Sequence, residues 1–341
     1  MKNKLSLVSL LFLLYTGLFA EKKTEFSISP YAGIRWGQQD EFVFADAANG
    51  KEYKLSELNW EQKPMYLFGI TSEFRRKSFH LSLTAETSLS KLNTGKVLDK
   101  DWLNVTKSSC TDEQFYLIQT NLSDTENFLE RYFRAEGAIS FDVIKKAKFT
   151  FSPSAKLEYA YSRFVTRNGW FQYATSDDYG NFTSVEAMDF YNANGIYGFY
   201  TLGGKYNLSS ENSMRLTRHV LCSWIGINSN IKVNPKISLD FSLDVCPYIF
   251  VFSKDNHLAR NKDFIDLMDC DFSGIKLSAK VNYFFNSNQS VFFKTEYKNL
   301  SGIKGEGYVK ESSEKKYKKT ASSSGSAFEN INFYLGLNFS F

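Results

Sequence analysis

Ile331-Asn332-Phe333-Tyr334-Leu335-Gly336-Leu337-Asn338-Phe339-Ser340-Phe341 closes the chain, and every odd-numbered position in it is apolar. A period of two places alternate side chains on opposite faces of an extended strand, one oily and one polar. The same split occurs upstream. Ile237, Leu239, Phe241, Leu243 and Val245 alternate with Ser238, Asp240, Ser242 and Asp244. Ile275, Leu277, Ala279, Val281 and Tyr283 alternate with Gly274, Lys276, Ser278, Lys280 and Asn282. Phe133, Ala135, Ile139, Phe141 and Val143 alternate with Arg134, Glu136, Ser140 and Asp142. The pattern predicts about ten strands, over 25–45, 52–74, 77–92, 127–144, 147–173, 213–232, 236–255, 267–286, 289–307 and 327–341.

Many of these strands are far longer than the ~5–6 residues usual in soluble sheets. Their polar faces carry charges, and their oily faces carry large aromatics, in a chain with 32 Phe and 20 Tyr. A sandwich would bury the oily faces against each other. A membrane barrel turns them outward to lipid and keeps the charges in a wet lumen. Strand length and aromatic content favour the barrel: all-β, ten-stranded, antiparallel and transmembrane, with loops that extend it. A mean hydropathy of −0.33 excludes a bundle of spanning helices.

The single long apolar run is N-terminal. Lys2 and Lys4 precede an apolar stretch over 5–18, and Leu18-Phe19-Ala20 precedes Glu21-Lys22-Lys23. This predicts a secretory signal peptide over 1–20 and one barrel domain over 21–341. Without Lys2 and Lys4, 39 basic residues face 37 acidic ones, a balance that points to no nucleic acid and to no charged partner. Export also makes the four cysteines candidates for disulfides. The links near 75–76, 145–146, 233–236 and 287–288 are short. Those near 46–51, 93–126, 174–212, 256–266 and 308–326 are mostly long, and the Lys/Ser/Gly-rich stretch 310–326 reads as a mobile surface loop. Short periplasmic turns alternating with long extracellular loops fit an even-stranded barrel. The closing Phe341 resembles the C-terminal signature of bacterial outer-membrane barrels.

Two acidic groups fall on the predicted extracellular rim. Asp99-Lys100-Asp101-Trp102 begins the second loop and Asp255-Asn256-His257 the fourth. A carboxylate two residues from a histidine can orient the imidazole, which then activates water as a general base. Facing carboxylates can hold that water from the other side and carry protons. With these motifs in this order, the chain resembles the omptin family of outer-membrane proteases along its whole mature length. Glu41-Phe42-Val43-Phe44 and Lys54-Leu55-Ser56-Glu57-Leu58-Asn59-Trp60 resemble the family's first hairpin. Thr111-Asp112-Glu113 follows the Asp-x-Asp-Trp motif as in the family, and Tyr159-Ala160-Tyr161-Ser162-Arg163 resembles its lipopolysaccharide-contacting strand.

The resemblance implies an aspartic-type endopeptidase in the bacterial outer membrane, with its site on the extracellular side. It would cleave polypeptides next to basic, often dibasic, residues. Asp255 and His257 would be the Asp–His pair, Asp99 and Asp101 the opposed aspartates, and water the nucleophile. Neither metal nor covalent acyl-enzyme is implied. Glu41 would floor the pocket for the basic side chain, and Asp112 would border the cleft. Lipopolysaccharide would be the activating lipid, held in part by Tyr159 and Arg163, and the protein would be a monomer in contact with outer-membrane lipid. Two departures weaken the match: Ser253 stands where a second pocket acid is frequent, and Tyr161 where a lipid-contacting Glu would be. Parity puts Arg163 outward with Tyr159, where an interfacial Tyr/Arg anchor is an equal reading.

Of the other histidines, His80 and His219 have no acidic neighbour in sequence and read as interfacial or surface residues. Inward Lys276, Lys280, Asp240, Asp244, Arg134 and Glu136 predict a lumen charge network. Two rival functions remain from the residues alone: a non-catalytic barrel acting as an adhesin, and a narrow channel. Parity also pairs Cys222 with Cys246 across neighbouring strands, leaving a Cys110–Cys270 bridge between the two acidic loops. The alternative is that these thiols are unpaired.

Overall fold

The computed structural model describes the chain except residues 1–23, 47–50, 103–118, 175–202, 209, 259 and 312. Expectations on the signal peptide, on Asp112 and on Cys110 fall outside the described residues. Among the described residues, thirteen strands form one sheet. They are β1 (Thr24–Asp46), β2 (Glu52–Arg76), β3 (Phe79–Ser88), β4 (Asn93–Asp101), β5 (Asn121–Phe141), β6 (Ile144–Lys145), β7 (Phe149–Tyr173), β8 (Lys205–Asn207), β9 (Met214–Asn234), β10 (Ile237–His257), β11 (Lys262–Phe284), β12 (Gln289–Glu311) and β13 (Lys318–Ser340).

β3 and β4 are the lower and upper halves of one stave, both paired to β2 and β5. β6 and β8 are short additions to β7. Counted so, ten antiparallel staves close into a ring, with β13 returning to β1 from Ser27↔Ser340 up to Phe44↔Ser323. Closure leaves no stave with an unpaired edge, which is what lipid demands of backbone amides.

The predicted oily faces do turn outward. Phe241, Leu243, Val245, Ile225, Ile227, Leu277, Phe293, Phe333 and Leu335 are all exposed on the barrel's outside. A band this apolar is at home in hydrocarbon and not in water. The band occupies only the half nearest the short turns. At ~3.3 Å per residue a 23-residue strand such as β13 is ~75 Å long, about twice what a tilted strand needs to cross ~30 Å of lipid. The other half stands clear of the membrane.

The membrane-level lumen is filled, as expected, by ion pairs. Arg134 contacts Glu136 at 2.9 Å and Glu158 at 3.3 Å, Lys276 contacts Glu136 at 2.7 Å, Lys298 contacts Glu158 at 2.8 Å, and Lys156 contacts Asp244 at 2.7 Å. Lys280 lies 3.9 Å from Asp240. Above them an apolar plug of Trp60, Met65, Leu67, Leu129, Phe164 and Leu216 packs inside the barrel.

Three expectations need correction. The links at 256–266 and 308–326 are not long loops: β10 and β11 are joined by 258–261, and β12 and β13 by 312–317. The strands simply continue above the membrane, where both faces meet water and the period-two signal fades. For the same reason Asp99 and Asp101 lie on β4, and Asp255 and His257 on β10, rather than in loops. Finally, Cys222 and Cys246 are not directly opposed. A bulge between Val245 and Tyr248 shifts the register, so that Val245 pairs with Ile225 but Ile249 pairs with Cys222. Both cysteines are buried free thiols whose side chains hydrogen-bond each other diagonally, and Cys270 is also free.

Candidate active site

The bulge at Cys246-Pro247 decides the site. Below it, even-numbered Asp244 and Cys246 are buried and odd-numbered Leu243 and Val245 are exposed outside. Above it, Ile249, Val251, Ser253 and Asp255 are buried, so the odd positions now face the lumen. One extra residue in a strand exchanges its faces. Without it, Asp255 would point outward.

Asp255 and His257 therefore stand on the lumen wall at the upper end of β10. The His257 Nε2 lies 2.5 Å from Asp255 Oδ2, and its ring packs edge-on against Phe264 with centroids 5.0 Å apart. On the opposite wall, β4 presents Asp99 and Asp101. Asp99 is buried at 7 % exposure, opposite Leu58 on β2. Asp101 accepts a 3.1 Å hydrogen bond from Asn121 Nδ2 and another from Ser56. The charges on the two walls act on one another across the lumen. Burial, then the Asp101 charge and more weakly Asp255, push Asp99 up to about 8, against His257 and Arg260. Burial also raises Asp101, opposed by its Ser56 and Asn121 hydrogen bonds. For His257, burial is the largest single influence and disfavours the cation. The ion pair and hydrogen bond with Asp255, with help from Asp99, outweigh it and raise the imidazole above its ordinary value.

Glu41, on β1 opposite Leu58 and Ser326, is buried beneath this group. Burial and the charges of Asp255, Asp266 and Asp99 hold its pKa well above the ordinary value, against Arg218. Asp266 and Arg218 were missed by the sequence reading, although both carry the lumen parity of their strands: Arg218 with Cys222 and Trp224, Asp266 with Met268. Arg218 is fully buried, and burial brings Asp266 up to about 6 despite a hydrogen bond from Ser324 Oγ and the Arg218 charge. Arg260 and Tyr173 also border the site, joined by a 3.4 Å hydrogen bond from Arg260 Nη2 to the Tyr173 hydroxyl.

Elsewhere, the structure supplies partners for the remaining residues. Tyr159 Oη lies 2.8 Å from His219 Nδ1, and the His219 ring also meets Tyr161 and Phe252. Arg163 Nε contacts Glu130 Oε2 at 2.7 Å, and Arg215 Nε contacts the same oxygen at 3.2 Å, leaving two guanidinium groups on one carboxylate. His80 is bound to Asp142 at 3.0 Å near the short-turn end, far from the upper site. Among the described residues, no group of three or more acidic, histidine or cysteine side chains has metal-binding geometry.

The apolar belt and closed ring define the class, an outer-membrane β-barrel carrying a polar site at one end of its lumen. The chain belongs to the omptin family, whose family model matches residues 22–341. Among solved structures it is similar to the outer membrane protease OmpT from Escherichia coli, with a TM-score of 0.74, 13 % identity, and coverage of 94 % of this chain and 99 % of that one. Weaker likenesses include the outer membrane protein OprG from Pseudomonas aeruginosa, with a TM-score of 0.35 and 9 % identity over 94 % of this chain and 97 % of that one. The toluene transporter TodX from P. putida gives 0.29 and 10 % identity over 95 % and 91 %. No curated protein sequence matches the chain. Family and fold make this an outer-membrane protease barrel.

Proposed function

We propose that the protein is an extracellular-facing, aspartic-type endopeptidase that cleaves polypeptides next to basic, preferably dibasic, residues with an activated water. The observation that carries the reading is the Asp255–His257 pair facing Asp99 and Asp101 across the lumen mouth. Asp255 holds the imidazole by one nitrogen, and in its neutral form the ring accepts a proton from water lying between the two walls. Asp99, kept protonated near neutral pH by burial and by Asp101, donates a hydrogen bond to the carbonyl oxygen as negative charge develops on it. Collapse of the tetrahedral species returns the proton from His257 to the leaving amine. Water is the nucleophile throughout, so no acyl-enzyme forms.

Glu41 and its acidic neighbours favour a cation in the residue before the scissile bond, and Asp112 would border the cleft. Arg163 and Tyr159, on the outer face just above the belt, suit the phosphate of lipopolysaccharide as an activating lipid. The ion-paired lumen speaks against an open channel, since side chains fill it at membrane level. Incubating the refolded protein with quenched peptides containing Arg-Lys, Arg-Ala or Gln-Ala, with and without lipopolysaccharide, tests the reading. Hydrolysis of Arg-Lys ahead of the others is expected, and intact peptides in every arm would overturn it.

A further inference from the structure

Ser253, buried two residues below Asp255 on the lumen face, brings no charge to the base of the site, but its two cross-strand neighbours are both charged. The register places Arg218 of β9 on one side of Ser253 and Asp266 of β11 on the other. Arg218 lies along the floor. Its Nε donates to Ser253 Oγ at 3.4 Å, its Nη1 donates to Gln39 Oε1 at 3.4 Å, and its Nη2 reaches to 3.7 Å from Glu41 Oε2 on the far wall. Asp266 is held by Ser324 Oγ, and β12 opposes it with Gly307, where a Cβ would come within 2.7 Å of that same Ser324 oxygen.

The hydrogen bonding at this floor is incomplete. Arg218 Nη2, Glu41 Oε2 and Asp255 Oδ1 are all buried without a hydrogen-bond partner. Buried polar atoms rarely stay unsatisfied, because each costs the desolvation it cannot recover. Arg218 Nη2 and Glu41 Oε2 face each other at 3.7 Å, beyond hydrogen-bond reach, and Asp255 Oδ1 acts on both electrostatically, so two carboxyl oxygens and a guanidinium nitrogen keep bonding capacity that a ligand with a cation and an acceptor would use. A peptide offers both, a basic side chain and its neighbouring carbonyl.

We infer that Asp266 and Arg218 are specificity-determining residues: Asp266 supplies from β11 the second carboxylate that Ser253 does not, and Arg218 is a built-in counter-cation with which the substrate's basic side chain competes. The inference rests on the reading of the site as a proteolytic cleft with a basic preference. Glu41 and Asp266 together outnumber Arg218, so the floor offers a substrate cation one more carboxyl group than the guanidinium can neutralise. The preference is graded rather than strict, because the internal guanidinium already occupies part of the carboxylates' bonding capacity. Arg is chosen over Lys only weakly, since the planar fork that would make a bidentate contact finds one partner already taken.

The test compares Arg218→Gln, Arg218→Lys and Asp266→Asn in refolded protein whose heat-modifiable mobility on gels shows a closed barrel. Two readouts run in parallel at about pH 8, above the value of about 6 to which burial brings the Asp266 carboxyl. The first is the ratio of kcat/KM for a quenched peptide with arginine before the scissile bond to that of the citrulline isostere. The second is the ratio of Kd values for N-acetyl-arginine amide and N-acetyl-citrulline amide by calorimetry. Arg218→Gln should raise both ratios by ~10-fold and Asp266→Asn should lower them by ~10-fold, while Arg218→Lys, which keeps the charge but not the fork, should move them less than Arg218→Gln. Ratios unmoved in both Arg218→Gln and Asp266→Asn would overturn the inference. If wild type cleaves nothing but the binding ratios move as stated, the specificity assignment stands and the proteolytic reading fails.

Discussion

Replacing Asp255 by Asn probes how the site's histidine is set. The Asp255 and His257 side chains are 3 % and 16 % exposed, and their charged atoms lie 2.5 Å apart. For unit charges centred ~4 Å apart at an effective dielectric near 20, the attraction is about 4 kcal/mol, an upper value. At 1.36 kcal/mol per unit this is about 3 pKa units of support for the imidazolium. His257 is raised above its ordinary value only because this support exceeds the burial that opposes it. In Asp255→Asn burial and the Arg260 charge meet only the weaker help of Asp99, so the pKa falls below the ordinary ~6.5. Activity needs the neutral imidazole and therefore rises with pH through this pKa. The ascending limb of kcat/KM should move to lower pH by at least ~1 unit. The ring also loses the acceptor that fixes its orientation, so kcat should drop ~100- to 10,000-fold. Profiles measured with a quenched Arg-Lys peptide between about pH 4 and 9 give both numbers at once. An ascending limb that stays in place, with kcat within ~10-fold of wild type, would refute the role given to Asp255.

Other outcomes follow from the same geometry. His257→Ala should lower kcat by at least ~100-fold while leaving the heat-modifiable gel shift intact, because the belt that holds the barrel is untouched; turnover within a few-fold of wild type would defeat the mechanism. The wild-type profile should fall again on the alkaline side as Asp99 loses its proton near about 8. Asp101→Asn removes the repulsion that raises Asp99, so this descending limb should move to lower pH; a limb that does not shift would mean that another group controls it. Lys315-Lys316, in the connection between β12 and β13, should be nicked in concentrated preparations. Lys318 and Lys319, held in β13 by pairs to Glu314 and Glu306, and Arg75-Arg76 at the opposite end should survive, as peptide mapping by mass spectrometry would show. Arg134→Met strips the shared cation from Glu136 and Glu158 and should cost about 3–5 kcal/mol, read as a lowered denaturation midpoint of the gel-shifted form.

Alternation, taken with strand length and aromatic content, determined the barrel. Residues such as Phe333, Leu335 and Leu337 alternate with polar neighbours because each strand segment at membrane level meets lipid on one side and a polar, ion-paired lumen on the other, and a period of two records that contrast directly. The lumen network at Arg134, Glu136 and Lys276 was legible by the same parity. So were the Asp-x-Asp and Asp-x-His motifs, whose spacing needs no fold to be seen. Above the membrane the contrast disappears, since both faces are wet, and the sequence could no longer say where a strand ended: β4 and the upper parts of β11 to β13 read as loops. Which way Asp255 and His257 point depended on one bulged residue beside Pro247, invisible to a period count but enough to exchange the two faces of β10. The partners of Ser253 were likewise beyond reach. Arg218 and Asp266 become its neighbours only through registers closed by hydrogen bonds between strands, and Glu41 joins them only because the ring brings β1 round to face β9. Local periodicity is written residue by residue, whereas register and the facing of distant walls are properties of the closed sheet.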